Sequence, residues 1–197
     1  MRGLDKYLVA VLLLTVCAPA PARETKFAFI AKGGTLFLRN DDQELIDGQR
    51  RQFDRASEET LAFAFEVRHG FNARHRMGIG VESIRYEHDY TPAIAGARSS
   101  VAESRALMAT GKYYYGTWLR PFVGIGIGGG ETEVPRANGT IVDDNIVYQL
   151  GGGAELSFGT VGLIGEIKFL RNYSFDRSSQ DYDASGTGAF VGMSLSF

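Results

Sequence analysis

The residues best suited to acid–base chemistry in this chain are its three histidines, His69, His75 and His88. A histidine beside a serine or an acid can act as a general base in acyl transfer. His88 precedes Asp89, and Ser174 offers a hydroxyl nucleophile, but no motif in the sequence places a histidine and a serine together. An enzymatic role therefore remains an alternative, and no catalytic residue is predicted.

A glycine-rich segment, Gly124–Gly130, reads Gly-Ile-Gly-Ile-Gly-Gly-Gly and has the composition of a phosphate-binding loop. Such a loop needs a following helix whose N-terminal N–H groups face the phosphate. No helix is predicted after Gly130. The alternation of glycine with Ile125 and Ile127 favours a β-strand instead, so no cofactor is expected here.

Acidic residues outside the apolar stretches could bind divalent cations. They are Asp41, Asp42, Glu44, Asp143, Asp144, Asp176, Asp181 and Asp183. Their spacing matches no calcium-binding loop of the EF-hand type. Solvated charge on loops is the favoured interpretation, and no metal site is predicted.

A further set of charges lies inside stretches that are otherwise apolar or rich in glycine. These residues are Lys32, Glu66, Arg68, Glu82, Lys112, Arg120, Glu155, Glu166 and Lys168. Five are basic and four are acidic. Because an unpaired charge in a narrow, poorly solvated space is costly, this near balance predicts a network of ion pairs and hydrogen bonds.

The elements that carry these charges are predicted to be β-strands. Alternation of apolar with small or polar residues recurs throughout the chain after Lys26, and no convincing segment has helical period. The eight predicted strands are 26–38, 58–68, 76–88, 104–115, 119–130, 145–158, 161–173 and 185–197. Most of the 25 glycines lie within them, which indicates close packing of the backbone.

Successive side chains of a strand face opposite sides, so each strand has two faces. In the last strand, Val191, Met193 and Leu195 share one face, while Gly188 and Gly192 share the other. The remaining strands repeat this division into an aliphatic face and a glycine-rich face. All nine charges fall on the glycine-rich face, which predicts that they project into one shared space.

The predicted connections alternate between long and short. Long polar segments cover 39–57, 89–103, 131–144 and 174–184, whereas short turns lie around Gly70, Gly116 and Gly159. Transmembrane β-barrels of bacterial outer membranes have this asymmetry, with short periplasmic turns and longer extracellular loops. The pattern predicts an all-β fold, an eight-stranded antiparallel up-and-down transmembrane barrel.

A soluble barrel with an internal ligand would turn the same faces the other way. Its outer face would then be dense in lysine, glutamate, threonine and glutamine, whereas here that face is sparse and made of glycine, alanine and serine around single charges. The membrane arrangement is favoured.

Aromatic residues lie near both ends of the predicted strands. They are expected at the two membrane interfaces of such a barrel, and the alternative is that aromatic residues are simply common at strand ends. They are Tyr115, Trp118, Phe122, Phe158 and Phe197 at one end, and Phe37, Tyr86, Tyr90, Tyr173 and Phe175 at the other.

The first residues are predicted to be a signal peptide. Arg2 and Lys6 precede an apolar run over 7–16 and a small-residue stretch that ends at Ala22. We expect residues 1–22 to be removed on export and residues 23–197 to form the barrel domain. Cys17, the only cysteine, would be removed with the signal peptide. In the alternative of a lipoprotein, Cys17 would instead be the acylated first residue of the mature chain.

The formal charge of −2 argues against a nucleic acid partner.

The predicted mature chain resembles the OmpA-like and OmpX-like outer-membrane β-barrel family. The segment from Trp118 to Gly128 is similar to a strand start common in such barrels, with an aromatic, Arg-Pro and an aromatic before alternating glycines. The C-terminal Phe197 is similar to the signal that the barrel-insertion machinery reads in this family. The resemblance implies a monomer in the bacterial outer membrane, surrounded by lipid and lipopolysaccharide.

The resemblance leaves three functions open. The favoured one is a structural or surface-interaction role, in which the long loops contact host or envelope molecules. A narrow channel lined by the nine charges is an alternative, although a closed polar core is the favoured interpretation of those charges. The third is a lipid A modifying enzyme, but the His-x-Ser pattern of the lipid A deacylases is absent and the segment 171–174 is only weakly similar to it.

Overall fold

The computed structural model describes residues 24–38, 44–46, 49–53, 59–92, 100–136, 139–174 and 185–197, and these residues form one antiparallel sheet. Its strands are β1 (Glu24–Leu38), β2 (Glu44–Ile46), β3 (Gln49–Phe53), β4 (Glu59–Gly70), β5 (His75–Pro92), β6 (Ser100–Tyr115), β7 (Leu119–Arg136), β8 (Gly139–Phe158), β9 (Val161–Ser174) and β10 (Gly186–Ser196). None of these ranges contains a helix that could span a membrane.

Eight of the strands close into a barrel. Consecutive strands from β4 to β10 pair with each other, and β1 closes the barrel by pairing with both β4 and β10. Phe27 and Phe197 complete the β1–β10 seam by exchanging two backbone hydrogen bonds of 2.9 Å. The predicted eight-stranded antiparallel barrel is confirmed. The signal peptide predicted over 1–22 lies outside the described residues.

The two faces of the strands have opposite environments. Aliphatic and aromatic side chains point outward and are exposed, as are Ile125 at 65% and Val191 at 72%, while the glycine-rich face points inward. A continuous apolar outer wall of this size would be unstable in water. It is the lipid-facing belt of a transmembrane barrel, in which closure satisfies every backbone hydrogen bond at the sheet edges.

Tight turns join the strands at one end, which we call the short-turn end. Gly116 and Gly159 have φ values of 113° and 71°, a backbone region that residues with a Cβ rarely adopt. In the turn between β4 and β5, Oδ1 of Asn72 accepts hydrogen bonds from the backbone N–H groups of Arg74 and His75. The three predicted short turns are present.

The opposite end, which we call the long-connection end, differs from the prediction. Most of the predicted loops 89–103 and 131–144 is strand, because β5 continues to Pro92, β6 starts at Ser100, and β7 and β8 stay paired up to Arg136 and Gly139. Their inward side chains remain buried, as those of Ala102 and Thr132 do, but acidic residues such as Glu103, Glu131 and Glu133 are frequent on the outward face. Polarity therefore made them resemble loops.

The first predicted loop, 39–57, also contains regular structure. β2 and β3 pair with each other, and β3 pairs with the far end of β5, where Phe53 lies opposite Tyr90. The sheet thus continues beyond the barrel on the side of β5.

Candidate functional site

The nine charged residues predicted to share one space all lie on the inner face of the barrel. Eight of them are buried, and Arg120, at the short-turn end of β7, is partly exposed. They come from β1 and from each of the strands β4 to β9, whereas β10 supplies none. Alternation along each strand sets their direction, and barrel closure brings them together.

One cluster of charges surrounds Glu82. Lys32 donates a hydrogen bond of 2.7 Å to Oε1 of Glu82, and Lys168 donates to the same oxygen. The other oxygen accepts a 3.1 Å hydrogen bond from Nε2 of Gln149. Lys32 also lies 2.5 Å from Glu166, so two ammonium groups are balanced by two carboxylates. These four charged side chains are at most 3% exposed, which makes the cluster dependent on its internal pairing.

A second cluster surrounds Glu66. Its carboxylate accepts hydrogen bonds from Lys112 at 2.6 Å, from the hydroxyl of Tyr114 at 2.7 Å and from Arg68 at 3.1 Å. Nη2 of Arg68 also contacts Glu155 at 2.8 Å. Each acid here thus has at least one cation beside it.

Arg120 extends the second cluster toward the short-turn end. Its Nη1 donates a 3.0 Å hydrogen bond to Glu155, and its Nε donates one of 2.7 Å to the carbonyl oxygen of Thr117. The turn that carries Trp118 is thereby connected to the interior network.

An apolar cluster fills the interior at the long-connection end. This cluster was not predicted from the sequence. It contains Leu36, Ala62, Ile84, Tyr86, Ala102, Ala106, Met108, Val147, Leu170 and Phe190, all buried. Phe190 packs under Lys168, whose Nζ lies 5.5 Å from the ring centre. Apolar side chains therefore occupy the interior at one end and charged clusters occupy it elsewhere.

Two aromatic residues expected at the membrane interfaces are inside instead. Phe122 is buried beside Tyr114, with a ring-centre distance of 5.2 Å, and Tyr86 accepts a hydrogen bond from Asn172. Each shares strand parity with an interior charge, Arg120 on β7 and Glu82 on β5, and this parity is the signal that identifies them. Tyr115, Trp118, Phe158, Phe197 and Phe37 are exposed on the outer surface, as expected. The side chains of Tyr90 and Tyr173, and the whole of Phe175, lie outside the described part of the chain.

The histidines do not form a site with a serine in the described structure. His69 and His75 are near the short turn between β4 and β5, where His69 contacts Thr25 at 3.4 Å and His75 contacts the hydroxyl of Tyr113. The side chains of His88 and Ser174 lie outside the description. Among the described residues, no group of three or more histidine, cysteine or acidic side chains could hold a metal ion.

Most of the acidic side chains that could bind cations also lie outside the described residues. This applies to the side chains of Asp41, Asp42, Glu44, Asp143, Asp176, Asp181 and Asp183. Asp144 is described and is exposed on β8, opposite Glu131 of β7.

A charged outer wall begins where the lipid-facing belt ends. Arg85 of β5 contacts Glu103 of β6 at 2.6 Å, and Glu103 also accepts a 2.5 Å hydrogen bond from Arg105. That hydrogen bond, reinforced by the charge of Arg85, lowers the pKa of Glu103. Further out, β7 and β8 present Glu131 and Asp144. Outward charges at this density, beside the exposed Val101 and Val142, are typical of a wall in water rather than in lipid.

Comparison of structures places the fold among small bacterial membrane barrels. The chain is similar to the outer membrane protein OprG from Pseudomonas aeruginosa (TM-score 0.58, 11% identity, covering 89% of this chain and 97% of that one). It is also similar to Neisserial surface protein A, with a TM-score of 0.56 and 10% identity over 89% of this chain and 100% of that one. A third similar structure is Ail of Yersinia pestis, with a TM-score of 0.51 and 12% identity over 88% of this chain and 98% of that one. At these identities the likeness shows the fold alone. No protein-family model matches the chain, and no curated protein matches its sequence.

Proposed function

We propose that this protein is an outer-membrane barrel that acts as a structural or surface-interaction protein through the wall at its long-connection end. The observation that carries the proposal is the projection of β5 to β8 beyond the lipid-facing belt. Residues Glu131–Arg136 of β7 stay paired with residues 139–144 of β8. This pairing extends the sheet by roughly 20 Å at about 3.3 Å per residue. A paired sheet holds its backbone in a fixed position, which suits recognition of another molecule.

The chemistry of the wall supports contact with a polar partner. Its outward charges include two arginines and five acids: Arg85, Arg105, Glu87, Glu103, Glu131, Glu133 and Asp144. The arginines pair with Glu87, Glu103 and, at 4.0 Å, Glu131. The acidic excess favours partners with cationic groups, or contacts mediated by divalent cations near lipopolysaccharide.

The proposal includes a route to the membrane. Residues 1–22 would direct export, and the insertion machinery would recognise Phe197, whose exposed ring stacks 6.3 Å from that of Phe27 at the barrel seam. The short-turn end would then face the periplasm, and the wall would face the cell exterior. Two of the structurally similar proteins are named as a surface protein and an attachment invasion locus protein, and such a role would fit the same orientation.

The two other functions need different parts of the chain. A channel would need a path through the interior, and the apolar cluster around Ile84, Met108 and Phe190 argues against one. A lipid A modifying enzyme would need His88 at the outer rim. Neither alternative uses the tip of the β7–β8 hairpin.

Shortening that hairpin tests the proposal. Residues 133–142 are replaced by Asn-Gly, which joins Thr132 to Asp143, a pair already opposite each other, by a two-residue turn. We expect bacteria that express the shortened protein to lose most of their binding to immobilised host matrix and serum proteins, relative to bacteria that express the full chain. Surface density is matched by antibody labelling.

The control variant Arg74→Ala changes an exposed side chain in a turn at the opposite end, and it should bind as the unmodified protein does. Equal binding by all three strains would contradict the proposal. Ion conductance that changes with Glu166→Gln would favour the channel, and an altered lipid A that reverts with His88→Ala would favour the enzyme.

A further inference from the structure

The short-turn end of the barrel contains a small cavity with an unusual excess of positive charge. Its volume is about 20 Å³, and four of the residues that line it are basic: Lys26, Arg68, Arg76 and Arg120. Glu24 is the only acid among the described residues of the lining. These residues come from β1, β4, β5 and β7, so the cavity is formed by barrel closure rather than by one turn.

The acids nearby are already engaged with other cations. Glu24 lies 3.0 Å from Lys26, which balances that pair. Glu155, behind the cavity, contacts both Arg68 and Arg120. The carboxylate of Glu155 is therefore shared by two guanidinium groups. Arg68 also contacts the carboxylate of Glu66, which in turn pairs with Lys112.

Arg76 has no such partner. Within the described part of the chain its guanidinium makes no hydrogen bond or ion pair, although it lies on the inner face and is only partly exposed. It faces the same cavity as Arg120, where their like charges repel each other. Arg76 is not among the predicted interior charges, because the predicted strand begins at this residue, but it shares parity with Glu82.

We propose that this cavity binds one oxyanion group, a carboxylate or a phosphate, held mainly by Arg76 and Arg120. The guanidinium group offers planar pairs of N–H donors that match two oxygens of such an anion. Arg120 has one donor on Glu155 and one on the carbonyl oxygen of Thr117, which leaves its Nη2 donors for a ligand. An anion here would also relieve the repulsion between the two arginines.

The cavity size limits what can enter. A volume of 10 to 15 Å³ holds about one water molecule, so this cavity admits roughly one or two oxygen atoms and not a whole molecule. The remainder of the ligand must lie outside, at the level of Trp118 and the short turns. In the proposed orientation the oxyanion comes either from a lipid headgroup of the inner leaflet or from a solute on the periplasmic side.

Titration with inorganic phosphate tests the site. The barrel is refolded in octyl glucoside, which carries no phosphate or charge, and the line width of the ³¹P resonance is followed at constant ionic strength set with sodium chloride. We expect saturable broadening that acetate reverses by competition. Arg76→Gln and Arg120→Gln should each weaken phosphate binding by about tenfold or more, the loss expected for a charged hydrogen-bonding partner.

Arg85→Gln is the matched control, because it removes an exposed guanidinium at the other end of the barrel. It should leave phosphate binding unchanged. Arg76→Gln is the decisive variant, because Arg76 holds no described side chain in place by a hydrogen bond or ion pair and its loss should not disturb folding. Broadening that never saturates, or that Arg85→Gln reduces as much as Arg76→Gln does, would overturn the proposal.

A second arm of the experiment distinguishes the two sources of the anion. The titration is repeated with the barrel in bilayers of phosphatidylglycerol. Loss of phosphate binding there, with binding retained in octyl glucoside, would assign the cavity to a lipid headgroup. Binding retained in both environments would assign it to a soluble anion. Both results support an oxyanion site, and absence of binding in octyl glucoside contradicts it.

Discussion

Replacement of Glu82 with alanine should destabilise the folded barrel by about 3–5 kcal/mol, the cost of removing one partner from a buried ion pair. Glu82 accepts hydrogen bonds from Lys32, Lys168 and Gln149. Without it, two buried ammonium groups share the single carboxylate of Glu166. The measurement is the free energy of unfolding in urea, with the folded fraction followed by gel mobility of unheated samples.

Glu87 provides the matched control, because it is the same residue type on the same strand. Its side chain is 35% exposed and pairs with Arg85 on the outer wall, so Glu87→Ala should cost about 1 kcal/mol or less. Glu82→Gln, which keeps the size and loses the charge, should lie between the two. Equal losses for Glu82→Ala and Glu87→Ala would mean that water reaches the interior and solvates the charges there.

Gly153→Ala should cost at least the roughly 1–3 kcal/mol of an overpacked core and lower the fraction of protein that closes into a barrel. A Cβ at Gly153 would overlap the backbone carbonyl oxygen of Gly165 on β9 and lie 2.9 Å from Cα of Glu166. These are backbone atoms of the neighbouring strand, so β8 and β9 would have to separate. The fraction of protein that refolds into detergent, measured by gel mobility, reports this effect.

Gly165→Ala is the control on the partner strand. A Cβ there meets no atom within 4 Å and points toward lipid. Since alanine also restricts the unfolded chain, we expect no loss and a gain of up to about 1 kcal/mol. Similar refolding of both variants would show that β8 and β9 tolerate a larger spacing than the structure has.

The interior face could be predicted from the sequence because strand parity is strict. Each charge from Lys32 to Lys168 has a fixed direction once its strand is identified, and small residues beside it indicate a crowded space. The same parity holds for Phe122, Tyr86 and Arg76. Their positions near strand ends indicate an interface or no particular face, whereas parity alone gives the inward direction that they have.

Other features depend on distances that parity does not contain. The partners within the interior, such as Lys32 with Glu82, come from strands fifty residues apart and are set by register and barrel closure. The apolar cluster around Phe190 likewise needs all the strands to be in place. The extension of β7 and β8 was not predicted because its outward acids, Pro135 and Gly139 are residue types typical of a loop, although Thr132 stays buried on the inward face.

The most direct test of the transmembrane barrel is gel mobility of the protein in washed outer membranes, with unheated and boiled samples compared by antibody. Closed membrane barrels often remain folded in detergent until heated. We expect the protein in the membrane fraction, with a mobility that changes on boiling. Recovery as a soluble periplasmic protein whose mobility does not change would contradict the membrane assignment and favour a soluble barrel with an internal ligand.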